Sequence, residues 1–422
     1  MNPYQPQVPL NRFRNTCSVI ERTRTHFDAA YDAEVMGLYG RALDGRRIEL
    51  RRRNGQTSEI IDFVRCSYLG LDNHPKIAAG AIAAIEKNGT LHWSSARTRL
   101  NYDLLQDLEQ ELSTLFRAHV IAFSNVMVAN MGALPLIASG HLTGEKKPVI
   151  VFDRECHVSL QYHKATLADE TTVLTIPHND LEALEKICKS TEASASVVYI
   201  ADGVYSMGGE APIAKLRNLQ DKYRLYLYID DAHGISIFGK HGEGFARSKF
   251  PDELGERTII AASIAKGFGA SGGIIMLGTT AQEDLFRRYA QSYTFTAAPN
   301  LAAVGAALAS AKIHASPELR HLQNMLSERI RLFDGRIASP QHGSHLPIRM
   351  VPVGDEMQAI AIAQSLLEQG FYVSATFFPT VARNAAALRI CITASHSVEE
   401  IGKLCDLLDV VCKGRSHESV AA

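Results

Sequence analysis

Lys266 is the residue of this chain whose setting points most directly to chemistry. It follows an apolar, β-rich run, Thr258–Ala262, and precedes Gly267, Gly269, Gly272 and Gly273. A lysine at the mouth of a strand, beside backbone that glycine makes permissive, can form a Schiff base with an aldehyde cofactor. It does so when its ammonium is desolvated or set near other positive charge. A solvated surface lysine is the plain alternative. A second stretch bears on the choice. In Leu225–Gly234 an apolar run ends in Asp230-Asp231, then Ala232-His233. Carboxylates at the end of a buried strand need partners. A pyridinium N–H is such a partner, and an aspartate paired with it keeps the ring protonated as an electron sink. The roughly 35 residues from Asp230 to Lys266 leave room for one crossover and one strand.

The elements that must hold these groups are legible as alternating strand and helix patterns. Strands are expected at Val120–Phe123, Val149–Phe152, Thr171–Ile176, Val197–Ile200, Leu225–Ile229 and Thr258–Ala262. Such alternation predicts an α/β fold: a parallel or mostly parallel, doubly wound sheet with helices on both faces. Ligands should gather at the carboxyl ends of its strands, where Asp230, His233, Ser263 and Lys266 fall. Leu105, Leu108, Leu112 and Leu115 mark a core-facing helical stripe, Pro75 opens a helix, and Asn179-x-x-Glu182 reads as a helix cap. Residues 1–60, rich in arginine, read as an N-terminal arm, solvated and partly helical or else covering a neighbouring subunit's site. A large domain is expected over 61–300 and a smaller C-terminal α/β domain over 301–422.

Three further groups carry two readings each. Ser124–Asn130 opens a helix after a strand, where the N–H groups of Val126 and Met127 can bind phosphate; plain capping is the alternative. His157 follows a strand end and could stack on a ring or shuttle protons, or be structural. Arg389 lies in an apolar strand and needs an anionic partner, either a structural carboxylate or a substrate carboxylate.

Bulk properties narrow the field. With 46% hydrophobic residues in 422 the chain can bury a large core, and a net charge of −1 argues for neither nucleic acid nor an anionic membrane. Seven scattered cysteines with no C-x-x-C pair suit free thiols in a reducing, cytoplasmic setting rather than disulfides or a metal site. Met1–Gln7 is polar, and no apolar run reaches the roughly 18 residues of a membrane span.

Taken in order, CSYLGLDNHP at 66–75, AN at 129–130, H-x-S at 157–159, DGVYSMGGEAP at 202–212 and IDDAHG at 229–234 form a pattern. SIAKGFGASGG at 263–273, TAAP at 296–299, SHLP at 344–347, FFPTV at 377–381 and LRICITASHS at 388–397 complete it. The pattern resembles the α-oxoamine synthases, fold type I pyridoxal-phosphate enzymes that join an amino acid to an acyl-CoA thioester with loss of CO2. The resemblance implies that Lys266 binds the cofactor aldehyde and then abstracts the α-proton. It implies that Asp230 pairs with the pyridine nitrogen, that His233 contacts the phenolic oxygen with Ser206 nearby, and that His157 stacks on the ring. It further implies that Ser263 binds phosphate, that Thr296 reaches the phosphate of a partner subunit in a homodimer, and that Arg389 clamps the substrate carboxylate. The chain departs from the family at HWSSARTRLNY, at Leu105, at Asn125-Val126-Met127, and at Cys66-Ser67. The S-x-A-K form and the missing glycines are closer to the branch that makes long-chain amino-ketones or α-hydroxyketone signals. An aminotransferase or lyase on the same scaffold, and a catalytically silent partner subunit, are the alternatives.

Overall fold

The computed structural model describes residues 16–144, 146–191 and 194–418; Met1–Gln7 and the Cys412 side chain lie outside what is described. The centre is a seven-stranded sheet. Its order is His119–Phe123, Gly273–Leu277, Thr258–Ser263, Leu225–Asp230, Val197–Asp202, Val149–Asp153, Val173–Ile176. Six strands point the same way. Gly273–Leu277 alone runs against both neighbours.

The central strands are buried on both faces, which is why they read as continuous apolar runs. Their side chains alternate between two cores. Leu227, Ile229, Ile260 and Ala262 enter one cluster, and Tyr228, Ile200, Ile259 and Ala261 enter the other. The Asp103–Phe116 helix places Leu105, Leu108, Leu112 and Leu115 in the first of these, as its spacing predicts.

A three-stranded sheet, Ile348–Gly354, Ala386–Cys391 and Ser374–Thr376, packs with helices Glu356–Glu368 and Val398–Glu418. A four-stranded sheet joins Tyr39–Ala42, Arg47–Arg51 and Thr57–Asp62 to Phe371–Tyr372. Leu50, Ile60 and Phe63 share one apolar cluster with Ile348, Leu388 and Leu404.

Three local expectations are corrected. The stretch expected as a solvated, partly helical arm has the helix Thr16–Asp32, but it continues into a meander with buried residues instead of staying solvated. Its buried Arg46 is paired with the equally buried Asp62, a match that an arginine-rich sequence hides. The antiparallel strand Gly273–Leu277 was not anticipated, because the glycines before it read only as a flexible turn. The helix Leu181–Thr191 is capped by Asp180, whose Oδ1 accepts the Ala183 N–H at 2.9 Å, rather than by Asn179, which sits at φ 53°.

Candidate active site

Lys266 lies in the turn between Thr258–Ser263 and Gly273–Leu277. Its Nζ is 2.8 Å from His233 Nε2, and His233 Nδ1 is 2.6 Å from the Tyr68 hydroxyl. With Lys266 donating to Nε2, the ring proton sits on Nδ1 and is donated to the Tyr68 oxygen. Burial depresses the Lys266 ammonium, partly offset by negative charge at Cys66 and Asp230. Burial also depresses His233, as do the charges of Lys266 and Arg389, so the imidazole is neutral near pH 7.

Asp230 ends the Leu225–Asp230 strand. Its Oδ2 accepts from Asn130 Nδ2 at 3.1 Å and its Oδ1 accepts the Ala232 N–H at 3.1 Å. The Asn130 amide is held by the Tyr228 hydroxyl, which donates to Oδ1 at 2.6 Å, and its Nδ2 also reaches Ser159 Oγ at 3.2 Å. Ser159 Oγ lies 2.9 Å from His157 Nδ1. His157 is therefore tied to Asp230 through two side chains. Its backbone N–H donates to Asp202 Oδ1 at 2.9 Å. Burial depresses the His157 imidazole and leaves it neutral.

Ser263 is buried at the end of its strand and pairs in register with Gly273. The Val126–Ala138 helix begins against that glycine. A Cβ on Gly273 would lie 2.3 Å from the Val126 nitrogen and 2.4 Å from the Asn125 carbonyl carbon, so only glycine lets the helix start come this close. Asn125 Oδ1 takes the Val128 N–H, so the capping reading holds. The Val126 and Met127 N–H groups are the remaining first-turn donors and carry the positive end of the helix dipole. Both readings of this turn are thus compatible.

Arg389 is buried and raised above its ordinary value, with burial opposed by the sulfur and phenolic groups around it. Its Nε donates to the Ser206 carbonyl at 2.7 Å, Nη1 to Cys391 Sγ at 3.1 Å and Nη2 to Cys66 Sγ at 3.6 Å. No carboxylate partners it among the described residues, so the structural ion pair offered as its alternative is not formed. Ser206 contributes its carbonyl here. Thr296 is exposed, and its hydroxyl donates to the Ser292 carbonyl. It shares no hydrogen bond with the Lys266 cluster among the described residues.

The sequence therefore pointed to one constellation containing Lys266, Asp230, His233, His157 and Arg389. Tyr68, Asn130, Ser159, Asp202 and the cysteines beside Arg389 were not singled out as site residues. All of them lie within the family pattern, Cys66 and Tyr68 in CSYLGLDNHP, Asn130 in AN, Ser159 in H-x-S, Asp202 in DGVYSMGGEAP and Cys391 in LRICITASHS, and Asp202 ends a strand beside Asp230; those positions are the available signal. Grooves of about 580 Å³ between the Pro75–Asn88 and Leu301–His314 helices, and of about 770 Å³ beside Glu109, contain none of these groups.

A strand-end lysine and aspartate on this sheet define a fold type I pyridoxal-phosphate enzyme. The chain belongs to the class I and II aminotransferase family, whose model matches residues 58–408. It is 29% identical over 360 residues to 8-amino-7-oxononanoate synthase of Methylobacillus flagellatus, covering 83% of this chain and 86% of that protein. It is 30% identical over 346 residues to serine palmitoyltransferase of Bacteriovorax stolpii, covering 81% and 80%. The solved serine palmitoyltransferase of Sphingomonas wittichii has the same fold, with a TM-score of 0.81 at 22% identity over 95% of this chain and 99% of that one. Within the family the chain is an α-oxoamine synthase, a C-acyltransferase whose cofactor is pyridoxal phosphate.

The residues present fit that cofactor. Lys266 offers an amine whose charge is destabilised, Asp230 offers two oxygens already oriented by donors, and the Gly273 cradle brings helix N–H groups beside Ser263.

Proposed function

We propose that this site joins an amino acid to an acyl thioester with loss of CO2, giving an α-amino ketone, and that the residues divide the work as follows. Arg389 holds the amino acid's carboxylate; the supporting observation is a buried guanidinium with no carboxylate partner among the described residues, beside Lys266 and His233. Asp230 holds the pyridine nitrogen's proton, His157 lies against the ring, and Ser263 with the Val126 and Met127 N–H groups holds the phosphate. The bound cofactor supplies an electron sink for the carbanion beside the carboxylate. Lys266 takes and returns the α-proton at Nζ. His233 and Tyr68 hold that nitrogen in place by the 2.8 Å and 2.6 Å contacts. Holding both substrates in one orientation supplies much of the rate.

The active unit is a homodimer in the cytoplasm. Phe295 is 83% exposed beside the exposed Thr296, and Met127 and Val158 at the site's edge are 47% and 44% exposed. An apolar rim of this kind calls for cover, and a second copy supplies it together with Thr296. Under this reading the groups expected at 1–60, 61–300 and 301–422 act as arm, cofactor-binding domain and small domain.

The test is to incubate purified holoenzyme with single amino acids and acyl thioesters of increasing length. One pairing should release free thiol and CO2 in equal amounts. Amino transfer to a keto acid without thiol release would replace this reading with an aminotransferase. Mixing Lys266→Ala with Thr296→Ala chains should recover activity that neither has alone; full activity in a strict monomer would sink the dimer.

A further inference from the structure

Two cysteines flank the guanidinium that the site uses for binding. Cys391 ends the Ala386–Cys391 strand, and its N–H donates to the Phe63 carbonyl at 2.8 Å, which lays the 63–66 segment along that strand. The Cys66 and Cys391 sulfurs are 3.9 Å apart. Arg389 donates to both. Cys391 is buried, whereas Cys66 is partly open. The hydrogen bond from Cys391 and the charges of Arg389 and Lys266 hold the Cys66 thiol well below its usual value. Neither sulfur has a role in the condensation described above.

We propose that Cys66 and Cys391 form a peroxide-oxidisable pair whose disulfide loosens amino-acid binding at Arg389. The Cys66 thiolate attacks one oxygen of a hydroperoxide. The O–O bond breaks, the departing oxygen takes a proton, and a sulfenic acid is left on Cys66. The Cys391 thiol then attacks that sulfur, forming the S–S bond and releasing water with the Cys391 proton. Two thiols are oxidised and one peroxide is reduced. The sulfurs must close from 3.9 Å to a bond of about 2.05 Å. Closure takes both sulfur acceptors from Arg389 and removes the negative charge that steadied it. The effect on binding rests on Arg389 being the carboxylate clamp; the disulfide itself does not.

The experiment treats the holoenzyme with a few equivalents of hydrogen peroxide and maps its cysteine peptides without reduction. The expected result is a Cys66–Cys391 linked peptide, absent in Cys66→Ser and in Cys391→Ala. The amino-acid KM should rise about tenfold and return on adding dithiothreitol, while the KM for the acyl thioester stays put. Cys66 recovered as sulfinic acid, or linked elsewhere, would overturn the proposal. Arg389→Lys, measured on the reduced enzyme, tests the clamp separately. If that variant raises the amino-acid KM but the linked enzyme keeps its own, the switch is wrong and the clamp is right.

Discussion

Asp202 stands opposite Asp230 in the neighbouring parallel strand, and the two have different uses. Burial and the nearby Asp230 push Asp202 well above the usual carboxylate range. Its Oδ1 takes the His157 N–H. Asp202→Asn keeps the acceptor and removes a charge that burial disfavours, so kcat should fall less than about threefold, under 1 kcal/mol. Asp230→Asn removes the proposed partner of the pyridine nitrogen and should lower kcat about 10²–10⁴-fold, the range for losing a positioned proton partner. Steady-state kinetics on the two variants checks this; equal losses would contradict it.

Arg389→Lys should raise the amino-acid KM about 10–100-fold. A lysine ammonium is a point charge and cannot span the Ser206 carbonyl and a substrate carboxylate with a planar fork. The acyl-thioester KM should hold. A fall in kcat at constant KM would instead place Arg389 in the chemical step.

Gly273→Ala should weaken cofactor binding at least tenfold, about 1.4 kcal/mol. The added Cβ meets Val126 and Asn125 backbone at 2.3 and 2.4 Å, so the helix start must retreat from Ser263. Equilibrium dialysis with pyridoxal phosphate reads this directly, and thermal unfolding without cofactor separates it from a folding defect. Unchanged affinity would mean that this turn does not hold the phosphate.

The histidine of the TASHS segment, His396, is a structural pin rather than a site residue. Its Nδ1 accepts the Thr393 N–H at 3.0 Å, its Nε2 donates to the Asp62 carbonyl at 3.0 Å, and its ring stacks on Phe63 at 3.8 Å. Burial, chiefly, lowers it to about 3. Unfolded, the same ring titrates near 6.5. Between those values the unfolded chain binds the extra proton, so its contribution to stability is whole above pH 6.5 and is lost as pH falls toward 3. His396→Gln should cost about 1–3 kcal/mol at pH 7 through lost hydrogen bonds and stacking. That penalty should shrink at pH 5, because only the wild type must exclude a proton. Urea unfolding at the two pH values decides it; a constant penalty would refute the linkage.

Lys266, Asp230 and His233 were legible because each closes or follows a buried strand, and burial on both faces writes such strands as unbroken apolar runs. Arg389 stood out because a lone charge in an apolar strand must be answered. What answers it was not legible. Cys66 and Cys391 are 325 positions apart, and no local pattern says that two sulfurs share one guanidinium. The strands Tyr39–Ala42 and Arg47–Arg51 are not legible for a related reason, since the Arg46–Asp62 pair that makes the meander buriable is a tertiary fact. The Thr296 hydroxyl bonds the Ser292 carbonyl within its own turn, so its expected role depends on a second chain that one sequence cannot display.

The sheet that pairs Phe371–Tyr372 with Ile61 and Asp62 sets an order of events for a chain made from its N-terminus. All seven strands of the large sheet have been synthesised once Leu277 is complete. Leu50, Ile60 and Phe63, made much earlier, find Leu388 and Leu404 only after that sheet's last strand has been made. Joining them closes a loop of some three hundred residues, a late and slow kind of contact. Arg389 and Cys391 are made in that same later stretch, so the nascent large sheet can gather Lys266, His233 and Asp230 before the proposed carboxylate clamp exists.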